Sequence, residues 1–537
     1  MARQEFNGIC VAISLLWATT SVRASEVNCY CAKMNESEQF CGELIKFDPD
    51  GEISIRMGTS VIKLPSISFV GCPVRKDVNP TPTPAATTAS RAPIGTSHFG
   101  ICGSNTIGER LMPALIKGFA LKEGFIMVDG GACNGNFLLR SAESSDDGKL
   151  SIECRAEGTH TGIPALAERR ADIAMLSRPL TSDEEAMMSE ANYSGMRTPQ
   201  HENVIALDGL LVIVSPQNSV RALSLVHIAK IFAGEITDWA QLGGTPGRIE
   251  LYARDTESGT RDSFEAMVME PHRKQISPTA RLFGSSSDLS DAVKGDRRGI
   301  GFVGFAYKGA AKALAIAEQC GIEHNPSALE IKTEDYPLSR RLFLYTARLH
   351  SHHSQHLVHY ALSDAAQPVI ETVGYVNQKI TPAGMQETRA RVAGYVAAPT
   401  KEAGLEVDGV LIRQMRAAAE KAERLSVSFR FRPNTAKLDT KALQDVVRLG
   451  RYVRANARDK KIMLLGFADA QGPFTTNLRL SQQRADAVRV TLLESDPGLS
   501  PDMIVAKGYS ELMPVACNAD DAGRERNRRV EVWLIAD

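Results

Sequence analysis

VIALDGLLVIV, residues Val204 to Val214, decides the fold class of this chain. A nearly continuous apolar run of this length is expected of a strand covered on both faces. Working outward, Ser224 stands as an N-cap before Leu225, Ile228, Ile231 and Phe232, which follow helical spacing. IELYA, Ile249 to Ala253, reads as another strand, and SGT at Ser258 to Thr260 opens a further helix. Strand and helix alternate in this way across residues 98–378, which predicts an α/β domain.

The segments before it read differently. Arg3, the apolar stretch Ile9 to Ala18, and small residues at Val22 and Ala24 form a secretory signal, residues 1–24. Residues 25–75 follow as a small Cys-rich β module, with alternation at Ile53, Ile55 and Met57 and again from Val61 to Phe69. Residues 76–97, rich in Pro, Thr and Ala, read as an extended linker. No later segment approaches the roughly 20 apolar residues of a membrane helix, so a soluble mature protein is expected.

Beyond residue 378 comes a helical connector, 379–424, with Glu402 to Leu425 as its expected main helix. The last domain, 425–537, opens on alternating Leu425, Val427, Phe429 and Phe431. A helix through Leu443, Val446 and Val453 follows, then a strand KIMLLGF, a helix from about Asn477 to Leu493, a strand near Met503 to Tyr509 and a final strand RVEVWLI. These elements predict a small α/β sandwich.

With 62 Lys and Arg against 63 Asp and Glu, the net charge is −1. Nothing in that balance draws the chain toward nucleic acid, so local sites must carry the function. Of ten Cys, Cys10 lies in the leader and nine remain. Export favours disulfides over zinc for Cys29, Cys31, Cys41 and Cys72, with three pairings open. Cys133 and Cys154 flank two alternating stretches and suit a bridge across a hairpin. The odd count leaves at least one thiol unpaired or intermolecular.

Two sets of motifs carry chemistry. GFADAQG (Gly466 to Gly472), NLRLSQQRA (Asn477 to Ala485) and NRRVEV (Asn527 to Val532) lie behind the opening FRFRPNTAKL. Asp469 ends a strand, and Arg484 sits 15 residues later on a helix whose stripe is Asn477, Ser481, Arg484 and Val488. An acid and a base in one cleft suit a zwitterion. Residues 425–537 resemble the C-terminal peptidoglycan-binding domain of the OmpA family. The resemblance implies that Asp469 meets the ammonium and Arg484 the carboxylate of diaminopimelate, with Asn477 and Leu480 shaping the pocket and Arg528 adding a contact. Ala468 departs from the family's usual Thr.

The second set is GSNTIG (Gly103 to Gly108), EGTHTGIPAL (Glu157 to Leu166), ADIAMLSRPL (Ala171 to Leu180) and ARDTESGTRDSF (Ala253 to Phe264). Each joins Ser, Thr or Gly to an expected helix start, where unpaired N–H groups suit an anion. Four in order, with LSLVHIAKIFAGEITDWAQLGG, RRGIGFVGFAY, YPLSRRLFLYT and QPVIETVGYV, resemble the periplasmic phosphate-binding proteins of ABC transporters. That family folds as two α/β lobes around the ligand. The resemblance implies phosphate contacts from Ser104, Thr106, Ile107 through its backbone, Thr159, Ser177, Arg178, Arg254, Ser258, Gly259 and Thr260. Well-studied members have an Asp where this chain has Ser177.

Together these readings predict a non-enzymatic solute-binding protein that binds phosphate or a similar oxyanion and grips diaminopimelate-type peptidoglycan. It is expected in the periplasm, at the cell wall or outer membrane, with no cofactor or metal and an ABC permease as a further partner. The alternatives are a structural envelope protein with a ligand-free domain, or a phosphohydrolase. Against the latter, neither GxSxG nor HExxH occurs.

Overall fold

The structure, a computed structural model, describes residues 97–142, 149–256, 258–347, 351–397, 409–431 and 434–535, and the backbone of five strands between residues 30 and 71. The leader and nearly all of the linker, with Cys29 and Cys72, lie outside the described residues. The chain forms two compact units, Met1–Arg91 and Ala92–Asp537.

In the first unit the strands Ser60–Leu64, Ile53–Met57, Gln39–Phe47, Tyr30–Lys33 and Phe69–Gly71 form one antiparallel sheet in that order. The alternation at Ile53, Ile55 and Met57 is thus a strand, as expected. Cys31 stands opposite Cys41 in register.

In the second unit the apolar run lies in strand Glu202–Val214, buried at every position. Its first part pairs antiparallel with Ser339–Thr346 and its last five residues with Gly299–Gly304. The same strand therefore belongs to two lobes. On one side follow Ile173–Leu176, Ser97–Gly103 and Lys149–Ala156, then Gly135–Ser141 and Phe125–Asp129. On the other lie Glu250–Arg254 and Arg281–Phe283, beyond Gly299–Gly304. Helices cover both faces of the first lobe. Met112–Lys122 and His352–Leu362 bury Leu115, Phe119 and Leu357 on one face, while Ile163 and Met188 pack with Leu176 and Phe343 on the other. In the second lobe Leu225–Phe232 starts at Ser224, whose hydroxyl accepts from the His227 N–H, and buries Ile228, Ile231 and Phe232.

The C-terminal sheet runs Ala422–Arg430, Arg529–Ile535, Lys461–Phe467, Ile504–Gly508. Helices Thr440–Asn456 and Phe474–Ser495 bury Val446, Leu449, Ala485 and Val488 against one face. The connector differs from expectation. Helices Met385–Ala397 and Gly409–Ala419 take the place of a single helix over Glu402 to Leu425, and the first strand already begins at Ala422. The reason is packing: Val392, Leu411 and Met415 cover Leu465, Phe467 and Trp533 on the other face of the sheet, so the connector supplies a layer rather than a spacer.

The two lobes and this sheet form one unit. Arg341 binds both Glu334 and Asp439, the Arg448 guanidinium donates to Gln378 and Asp445, and Cys320 is bonded to Cys517. Cys133, two residues ahead of strand Gly135–Ser141, is bridged as expected to Cys154 on the neighbouring strand, and Cys102 is the buried free thiol among the described residues. No described helix is long and apolar enough to cross a membrane.

Candidate functional site

Strand Ser97–Gly103 ends at a residue with φ of +134°, where a Cβ would lie 2.2 Å from the Met175 carbonyl oxygen. Only glycine fits that turn, and it delivers Ser104, Asn105 and Thr106 to the cleft between the lobes. The hydroxyls of Ser104 and Thr106 are buried and have no hydrogen-bond partner among the described residues. Buried polar groups are nearly always paired, so these two hydroxyls are available to a ligand or to water. The Ile107 side chain is buried in the lobe core, leaving only its backbone to face the turn.

Across the cleft, helix Gly259–Phe264 is capped by Ser258, whose Oγ accepts from the N–H of Thr260 at 3.2 Å and of Arg261 at 3.4 Å. A Cβ on Gly259 would sit 3.4 Å from Thr106 Oγ1, 3.8 Å from Ser177 Oγ and 3.9 Å from Ser104 Oγ. Hydroxyls from one lobe thus converge on a helix start of the other. Thr159 joins them through its hydroxyl, 2.9 Å from that of Ser177.

Arg254 is buried and donates to the carbonyls of Phe283 (3.1 Å) and Gly284 (2.9 Å) and to the Ser286 hydroxyl. All three acceptors are neutral. Among the described residues the guanidinium has no carboxylate partner, so a buried positive charge faces the hydroxyl cluster. An anion is the group that compensates such a charge.

Arg178 departs from expectation. Its two terminal nitrogens each donate at 2.8 Å to Glu184, whose carboxylate also completes the capping box of Thr181. A guanidinium so committed adds no free charge to the pocket. In its place the structure presents Asp208 and Arg340, which the sequence reading passed over. They form a fully buried pair at 2.6 Å on the pocket wall, and Arg340 also donates to the Gly259 carbonyl at 3.2 Å. An acid in the middle of VIALDGLLVIV was the available signal.

The second site lies at the end of strand Lys461–Phe467. A Cβ on Gly466 would fall 2.0 Å from the Ser481 carbonyl oxygen, so glycine lets the helix carrying Arg484 press onto the strand leading to Asp469. Asn477, Ser481, Arg484 and Val488 are all buried along one face of that helix, as their spacing predicted. Arg484 donates to the carbonyls of Thr435 (3.0 Å) and Phe467 (3.3 Å), with its guanidinium 5.4 Å from the centre of the Phe431 ring. Burial lowers its pKa to about 10, against the attraction of Asp469.

Asp469 forms its ion pair with Arg528, at 2.9 Å, and accepts from the Gln471 N–H at 3.0 Å. Asp469, Arg484 and Arg528 are therefore brought together. The Asn477 amide is committed to Glu511 at 2.7 Å, and Leu480 is half-buried one turn before Arg484.

Residues 136–371 match the model of the PBP superfamily domain, and residues 430–528 that of the OmpA family. Protein SphX of Synechococcus elongatus is 28% identical over 279 residues, covering 49% of this chain and 80% of its own length. Phosphate-binding protein PstS of Borreliella burgdorferi is 24% identical over 250 residues, 45% of this chain and 84% of the relative. Among solved structures, an ABC-type phosphate transport receptor from Vibrio cholerae aligns at TM-score 0.40 and 24% identity, over 52% of this chain and 99% of that one. The peptidoglycan-associated lipoprotein of Burkholderia pseudomallei aligns at 0.19 and 25%, over 20% of this chain and 88% of that one. The chain thus joins a domain of the PBP superfamily to a C-terminal domain of the OmpA family.

Proposed function

We propose that this protein is an exported, wall-associated binding protein that holds phosphate between its two lobes and grips peptidoglycan through its C-terminal domain. The observation that carries the reading is the buried Arg254, whose partners among the described residues are all neutral, in the cleft with the hydroxyls of Ser104 and Thr106, which have no partner among those residues. Thr159, Ser177, Gly259 and Thr260 complete the cradle. The relatives named for phosphate support the choice of anion. The role is binding rather than catalysis, with the anion held by dipoles and one cation.

The C-terminal cluster of Asp469, Arg484 and Arg528 suits the free amino and carboxyl groups of a diaminopimelate side chain. Asp469 exchanges its pairing with Arg528 for the ligand's ammonium, and Arg484 takes the carboxylate. The protein sits in the periplasm at the cell wall or outer membrane, where a permease is a further partner.

Calorimetry of the full chain with phosphate tests the first part: Arg254→Ala is expected to weaken binding by about 2–5 kcal/mol. Equal affinity in wild type and variant removes the assignment. Co-sedimentation with diaminopimelate-type peptidoglycan tests the second, with Asp469→Ala and Arg484→Ala expected to stay in the supernatant.

A further inference from the structure

Five of the chain's eleven His fall within ten residues: His350, His352, His353, His356 and His359. His-rich tracts of this kind are a compositional mark of metal binding. The last four lie on helix His352–Leu362, which Ser351 caps by accepting from the Ser354 N–H at 3.0 Å. Here His352 and His356 occupy positions i and i+4 of one face, and their ring centroids are 3.8 Å apart. His359, one turn further and exposed, extends the same face.

A third group orients the pair. Glu123 follows helix Met112–Lys122, which packs on the histidine helix through Phe119 and Tyr360, with ring centroids 6.5 Å apart. Its Oε2 lies 3.0 Å from His356 Nδ1. An ionised carboxylate only accepts, so Nδ1 of His356 carries the proton. In the neutral ring Nε2 is then the lone pair. A carboxylate fixing one ring nitrogen while the other meets a metal is the usual second layer of a histidine site. Both His356 and Glu123 remain about a third exposed, at 34% and 28%, so an ion can enter from solvent.

Among the described residues Glu318, Cys320 and Cys517 also bring ligand atoms together, but there both sulfurs are consumed in a disulfide and Glu318 pairs with Arg526.

We propose that His352 and His356, with Glu123 as the positioning residue, form a surface site for a divalent transition ion of the Cu2+, Ni2+ and Zn2+ class, separate from the anion and peptidoglycan sites. Imidazole ligands select these ions over Mg2+ and Ca2+. Water supplies the remaining ligands.

The test is calorimetric titration of the full chain, prepared without a polyhistidine tag, with Cu2+, Ni2+, Zn2+ and Mg2+. The expected result is one equivalent of ion, Cu2+ bound more tightly than Ni2+ or Zn2+, and no heat with Mg2+. His356→Ala is expected to lower affinity at least about tenfold, and Glu123→Ala by about 10–100-fold. Glu123→Gln, which still accepts from Nδ1–H, should lose less. A long-range 1H–15N spectrum should show His356 as the Nδ1–H tautomer in wild type and as a mixture in Glu123→Ala, a change that a merely structural role would not produce. Thermal melts confirm that each variant folds. Affinity unchanged by His356→Ala, binding of Mg2+ equal to that of Cu2+, or no Cu2+ binding above dilution overturns the proposal.

Discussion

Asp335, in the loop after the second lobe's helix Ala328–Lys332, lies 2.8 Å from Arg424 and 2.8 Å from Arg430 of the C-terminal sheet. All three side chains are buried. The two-lobed domain and the C-terminal domain therefore share one ionic cluster, extended by Glu531 with Arg391 and Arg529. Such a cluster forces neighbours to keep their register, because any shift leaves a charge without a partner.

Replacing Asp335 with Ala is expected to destabilise the unit by about 3–5 kcal/mol, since the buried Arg430 loses its acid and Arg424 keeps only Glu531, at 3.4 Å. Urea unfolding followed by tryptophan fluorescence measures this. A loss below about 1 kcal/mol would mean that the arginines find other acceptors.

The junction also predicts acid sensitivity. Burial alone would raise the Glu334 carboxyl, but Arg341 and Lys441 overcome it and hold the group down at about 2. Asp335 is likewise held well below the usual carboxylate range, by Arg424 and Arg430 against its burial. Both folded values lie beneath the unfolded ones of about 4. Their contribution is thus complete above about pH 4 and is lost as pH falls toward about 2. Unfolding free energy measured from pH 5 downward should drop, and Glu334→Gln should make that drop shallower. Equal slopes in the two proteins would place the acid sensitivity elsewhere.

Cys320 and Cys517 are separated by 197 residues and join the second lobe to the C-terminal domain. Closing so long a loop restricts the unfolded chain strongly. The double variant Cys320→Ser, Cys517→Ser is expected to lose about 2–5 kcal/mol while still binding phosphate. Calorimetric melting of both forms checks the first statement, and titration with phosphate the second.

Selectivity among anions is proposed to turn on Ser177. Phosphate near neutral pH carries a proton that sulfate lacks, and a hydroxyl can donate as well as accept. Discrimination against sulfate is therefore expected to be weaker, by roughly tenfold to a hundredfold, than with an acid at this position. Ser177→Asp should sharpen it, because Arg178 is already committed to Glu184 and does not neutralise a new acid. If the wild type excludes millimolar sulfate in competition calorimetry, another acceptor acts, and Asp208 on the pocket wall is the first to replace.

By itself the sequence determined most of the elements, the connector excepted. The apolar run around Val204 to Val214, the capped helix after Ser224 and the buried stripe through Arg484 follow from local periodicity, which a single segment carries. The hydroxyls and Gly of the cleft were legible for the same reason, since they mark helix starts. Only the tertiary structure decided the partners of the charges. Asp469 pairs with Arg528 rather than Arg484, Arg178 turns to Glu184, and Asp208 finds Arg340 across 132 residues. The connector became a layer on the C-terminal sheet because Phe467 and Trp533 needed cover. Ion pairs and buried faces depend on which groups meet in space, and the periodicity of a single segment does not record that.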